Sequence, residues 1–110
     1  MSALHAGLAA GRWFRLPFLE QVANVGSEVE RALLWQERGS PDHRRRAVER
    51  ALELLDLSLA DGRNRGRGRE LARAREVLAD YFYGDNRYGS SPELLRGYFG
   101  AFARAARAGR

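Results

Sequence analysis

Between Gly39-Ser40-Pro41, the Gly62–Gly68 stretch and Gly84, the apolar residues recur every three or four positions, the period of a helix and not of a strand. This pattern constrains the fold more than any other feature. Residues 17–38 place Phe18, Val22, Val25, Val29, Ala32 and Leu33 on one helical face, with Pro17 suited to a first turn and Gly39 to a stop. Gly26 lies inside that helix at a cost of about 1 kcal/mol relative to alanine, which predicts close approach of a neighbouring helix. Ser40-Pro41-Asp42 combines an N-cap oxygen, a proline that needs no N–H donor and an acid facing the helix dipole, so a second helix is expected over 41–60. Its apolar set, from Ala47 and Val48 through Leu52, Leu54, Leu55, Leu57 and Leu59, is too wide for one neighbour and predicts the central helix.

Residues 69–83 repeat the pattern through Leu71, Ala74, Val77, Leu78, Tyr81 and Phe82, ending at Gly84. A fourth helix over 92–108 presents Leu95, Tyr98, Phe99, Phe102 and Ala106, and either Ser90, with Glu93 at capping-box spacing, or Ser91 suits its N-cap. Short connections between four such segments predict an all-α fold, an antiparallel up-down four-helix bundle. Residues 1–16 form an N-terminal arm with room for a short extra helix, and Trp13-Phe14-Arg15-Leu16 is expected to cap one end of the core. That core should include Val22, Val29, Leu52, Leu55, Val77, Leu78, Phe99 and Phe102.

A chain of 110 residues amounts to a single domain, 1–110, with one continuous core. It has no cysteine, which removes disulfides and thiolate chemistry and suits a reducing, cytoplasmic setting. The first twelve residues lack the basic and unbroken apolar regions of a signal peptide, and no apolar run approaches the roughly 20 residues that span a bilayer, so no membrane partner is expected.

The charge is unevenly placed. From Gly62 to Arg75 there are six arginines against one acid, Glu70, a local balance of +5 equal to the net charge of the whole chain. Clustered arginines favour polyanions, because counterions are released wherever phosphates line up. A flexible Arg/Gly loop carrying Arg63, Arg65 and Arg67, continued by Arg69 and Arg73 one helical turn apart, is therefore the candidate nucleic-acid site. Arg44 and Arg45 join it as candidates because positive charge in a first helical turn opposes the helix dipole. Beside this stands the plainer reading of a solvated loop whose arginines pair with Glu70, Glu76 and nearby acids.

Trp13, Phe14, Trp35, Tyr83 and Tyr88 are the aromatics set apart for interaction, whereas Tyr98, Phe99 and Phe102 read mainly as core. Leucines around more than half of 41–60, together with Leu34 and Trp35, leave apolar area that predicts self-association or a protein partner. Glu49, Glu53 and Asp56 line one side of one helix, and Glu76 and Asp80 one side of another. Neither His5 nor His43 follows a glutamate by three residues, so no metal or other cofactor is expected.

Arg38-Gly-Ser-Pro-Asp-His43 resembles the Arg-x4-His spacing of HEPN-type ribonucleases, in which arginine and histidine cleave RNA; here the pair straddles a helix break, and no catalytic residue is assigned. The phrases Asn24–Leu33, Arg50–Leu57 and Arg75–Phe82 look like those of small bacterial helical proteins of unassigned role. In size, helical layout and basic character the chain is also similar to the accessory helical-bundle proteins of diversity-generating retroelements, which form oligomers and bind nucleic acid beside a reverse transcriptase. With the arginine cluster beside that resemblance, the expectation is a non-catalytic accessory protein that binds nucleic acid, RNA slightly preferred, in partnership with a reverse transcriptase or another nucleic-acid enzyme; a helical protein-protein interaction or oligomeric scaffold protein is the alternative.

Overall fold

A computed structural model describes residues 8–108, with side chains from residue 11 onward. Residues 1–7, the opening of the expected N-terminal arm, and residues 109–110 lie outside the described residues. The described chain is all-helical: α1 (Leu8–Trp13), α2 (Phe18–Glu37), α3 (Pro41–Ala60), a 3-10 helix (Gly62–Arg67), α4 (Gly68–Tyr83) and α5 (Pro92–Ala108). The four long helices fall within a residue of the boundaries read from periodicity. Both α1 and the 3-10 helix add to that set.

The helices pair in the order α5, α2, α3, α4, with α1 and the 3-10 helix also against α3. Phe18 meets Phe102, Gly26 lies against Phe99, and Glu30 accepts from Arg96, so α5 runs antiparallel to α2. A Cβ added at Gly26 would sit 2.8 Å from the Cβ of Phe99, a position that no rotamer change relieves. The helix interior tolerates this glycine because the backbones of α2 and α5 come close there.

The main core joins Val22, Val25, Val29 and Leu33 of α2 to Ala51, Leu54 and Leu55 of α3, Leu71, Ala74 and Leu78 of α4, and Leu95 and Phe99 of α5. Of the expected core, Leu52, Val77 and Phe102 are only partly buried and pack against its edge. The wide apolar set of 41–60 is largely accounted for within one chain, since α1, α2, α4 and the 3-10 helix all surround α3. Leu54 and Leu55 are buried, Leu52 and Leu57 partly so, and Leu59 is left 38 % exposed. Burying a leucine of this kind contributes roughly 2–5 kcal/mol relative to alanine.

The helix ends show which cap residues act. Gly39 adopts φ +73° after α2, where its missing Cβ removes the left-handed penalty, and Ser40 N–H donates back to the Trp35 carbonyl. Ser40 occupies the N-cap of α3, but its hydroxyl pairs with His43 Nδ1 at 2.7 Å instead of a backbone N–H. For α5 the choice between two serines resolves to Ser91, whose Oγ accepts from Leu94 N–H; Ser90 is held by Asn86.

Candidate nucleic-acid interface

The arginine-glycine segment is not a flexible loop. Asp61 caps it, accepting the backbone N–H of Arg63 at 3.0 Å, and residues 62–67 then wind as a 3-10 helix. Asn64, the single amide side chain among the arginines, points inward and is 5 % exposed. Its Nδ2 donates to Gln21 Oε1 at 2.8 Å and to the Ser58 carbonyl at 3.0 Å. Gln21 Nε2 donates to the Trp13 carbonyl and to Asp61 Oδ2, and the Trp13 indole N–H donates to Ser58 Oγ at 3.0 Å. Five buried polar partners thus tie the α1–α2 connection, the end of α3 and the 3-10 helix into one hydrogen-bonded knot. Networks of this kind specify one arrangement, because each group is costly to leave unpaired in low dielectric.

This knot decides which arginines remain available. Arg63 is committed: its guanidinium grips both oxygens of Asp61 and donates to the Leu16 carbonyl at 2.7 Å. The hydrogen bonds from Arg63 outweigh burial and lower the Asp61 pKa to about 2, so the carboxylate is ionised at neutral pH. Arg67 lies over the Phe18 ring, 4.2 Å from its centroid. Arg65 and Arg69 are exposed, with no ion pair or ring contact among the described residues. Arg73 is held elsewhere, over the Tyr88 ring, whose hydroxyl donates to Glu76. Arg75 pairs with Asp56 at 2.7 Å and braces α4 against α3.

The fold also recruits arginines that the linear charge run does not include. The antiparallel course of α5 brings Arg104 and Arg107 to the end where α2 starts, and Arg107 lines a shallow groove with Glu20 and Asn24. Arg12 and Arg15 flank Trp13, which is anchored to Ser58 at the same end. Among the described acids at this end are Glu20, Asp61 and Glu70. Next to the 3-10 helix runs a row of rings: Phe18 meets Phe102 edge-on at 6.0 Å, and Phe102 meets Tyr98 at 5.3 Å. Tyr98 is 41 % exposed, and partial burial together with the Glu70 carboxylate raises its hydroxyl pKa.

The remaining predicted site residues are dispersed. Arg44 and Arg45 stand at the opposite end, near Tyr83, with Arg45 within reach of Asp42 and Glu49. Trp35 is half-buried, stacked on His43 at 4.1 Å with Arg38 5.4 Å from its centroid, so both members of the Arg-x4-His pair touch one indole ring. Phe14, Tyr83 and Tyr88 are exposed. Trp13 is not available for an interaction surface: at 5 % exposure it belongs to the core, because its indole fills the gap between α1 and α3 while its N–H is satisfied by Ser58.

Sequence reasoning missed Gln21, Ser58 and Asn64. The one available signal was Asp61 three residues before Asn64, the pattern of an N-cap followed by a polar residue, within a segment whose composition suggests disorder. Comparison with family models, with curated proteins and with solved structures returns no match.

Proposed function

We propose that this chain is a non-catalytic, nucleic-acid-binding accessory protein, with RNA preferred, whose interface is the basic end built around the 3-10 helix. The observation that carries the reading is the rigid display of Arg65 and Arg69, unpaired among the described residues, beside Arg67 and the Phe18–Phe102–Tyr98 row. Arginines carried on an ordered helical backbone lose less backbone entropy on meeting phosphates than arginines on a mobile strand. We read the helix arrangement as an up-down bundle whose ends differ in charge, and a cytoplasmic setting suits the cysteine-free sequence.

The test is titration of fluorescent single-stranded RNA and DNA at several salt concentrations. Tighter binding of RNA, with affinity falling as salt rises, is expected; each phosphate contact contributes about −0.7 to the log–log slope for a single strand. Charge reversal at Arg65 and Arg69 should remove most of the affinity and flatten that slope. Unchanged affinity would overturn the site, and equal binding of DNA would remove the RNA preference.

A protein partner is the second reading. Leu94, 62 % exposed, and Tyr98 lie one turn apart on α5 and offer an apolar strip to another helix. A concentration-dependent mass in solution, abolished by Leu94→Glu, supports self-association; a monomer at every concentration removes it.

A further inference from the structure

Between the start of α2 and the 3-10 helix lies an open groove of about 360 Å³, lined by Pro17, Phe18, Leu19, Arg63, Asn64 and Arg67. Three features distinguish it from an ordinary surface dent. First, Asn64 and Arg67 are three residues apart in a 3-10 helix, where side chains at that spacing eclipse, so both belong to the face turned toward Phe18. Second, the Arg67 guanidinium is held 4.2 Å over the Phe18 ring while Arg67 itself remains exposed, a positioned planar surface. Third, Asn64 has both its amide donations committed to Gln21 and Ser58, yet its Oδ1 receives no hydrogen bond among the described residues. An acceptor on a nearly buried side chain, fixed by its own amide in the wall of a groove, is suited to an incoming donor.

We infer that this groove takes one base of a single-stranded nucleic acid, stacked against the Phe18–Arg67 pair and donating an exocyclic amino hydrogen to Asn64 Oδ1, while Arg65 and Arg69 hold flanking phosphates. The inference rests on the proposed function and adds the form of the ligand. A duplex keeps its bases paired and stacked on one another, so it reaches the arginines without filling the groove; an unpaired adenine has both a free π-face and the N6 amino donor. Arginine at position 67 supplies a flat face that lysine lacks at equal charge, which makes charge and stacking separable by substitution.

The experiment is fluorescence anisotropy of the intact chain with labelled oligoadenylate, as RNA and as DNA, each alone and annealed to its complement. The single strand is expected to bind more tightly than the duplex. Arg67→Lys should weaken single-strand binding about tenfold and duplex binding about twofold or less, the size of one lost base stack. Phe18→Leu should do the same, with helical content by circular dichroism confirming that it folds. Wild-type affinity of Arg67→Lys for the single strand, or equal binding of single strand and duplex, overturns the inference. The paired reversal Arg65→Glu/Arg69→Glu separates the two levels. If it weakens all ligands while Arg67→Lys weakens none, the polyanion site stands and the base pocket falls; if it weakens none, the proposed function falls as well.

Discussion

At the end where α2 begins, Arg65 and Arg69 stand without a carboxylate partner among the described residues; at the end where it stops, Arg45 lies between Asp42 and Glu49, and Arg96 bridges Glu30 and Glu37. Both ends contain a run of arginines in the sequence, Arg44-Arg45-Arg46 at one and the Gly62–Arg69 segment at the other. The difference lies in what the fold brings up to each run. In the first, Asp42 and Glu49 lie within reach of Arg45, while Arg44 and Arg46 have no ion pair among the described residues. Around the second, the principal acid, Asp61, is consumed by Arg63, while α5 and the α1–α2 connection deliver further arginines. A local excess of charge becomes a field only where neighbouring elements leave it unmatched.

The contrast is broken most directly by charge reversal. Arg65→Glu/Arg69→Glu should weaken nucleic-acid binding by more than about a hundredfold at low salt, whereas Arg44→Glu/Arg45→Glu should change it by about threefold or less. Equal losses from the two pairs in anisotropy titrations would show that the ends act alike.

The polar knot is the next point of attack, since among the described residues the polar bonds at the far end, such as Gln36 to Tyr81 and Asn86 to Ser90, are only partly buried. Gln21→Leu removes one hydrogen bond each from the Trp13 carbonyl, the Asp61 carboxylate and the Asn64 amide inside a buried network, and is expected to cost roughly 3 kcal/mol in urea unfolding. At the far end His43→Ala loses a ring stack and an exposed hydrogen bond, for about 1 kcal/mol or less. Similar costs for both would mean that the knot is dispensable.

A smaller effect is expected at Gly26, which lies between the two ends. Alanine there gains about 1 kcal/mol in helix propensity but must displace the Phe99 Cβ, and overpacking of this kind costs about 1–3 kcal/mol. A modest net loss in thermal unfolding is expected; stabilisation would show that α2 and α5 separate easily.

The last effect is confined to acid pH. The folded pKa of Asp61, about 2, lies below its ordinary value of 3.8, so its contribution is complete above about pH 4 and is lost as acid carries the protein through pH 2. Asp61→Asn should flatten the acid limb of the stability profile in that window and leave the neutral region parallel to wild type.

Much of the fold was legible because helical periodicity and caps are local. Val22, Val25, Val29 and Leu33 announce their helix by spacing alone, and Gly26 announces a close neighbour by its cost. Residues 62–67 were opaque for the opposite reason. Glycine and arginine alternate there with no apolar period, and the groups that order the segment, Gln21 and Ser58, are 43 and 6 residues from the Asn64 they hold. No local signal distinguishes a solvated asparagine from one whose amide has a waiting carbonyl across the fold.

The sequence by itself determined the helical class, the four long helices and the excess of arginine, since backbone periodicity, capping and composition are properties of neighbouring residues. Only the tertiary structure decided that the arginine segment is a pinned helix, that Trp13 is core, that Arg63 is consumed while Arg65 and Arg69 are not, and that Phe18 lies under Arg67. Those outcomes depend on hydrogen bonds and ring contacts between residues far apart in the chain, and such partners become neighbours only after the helices have packed.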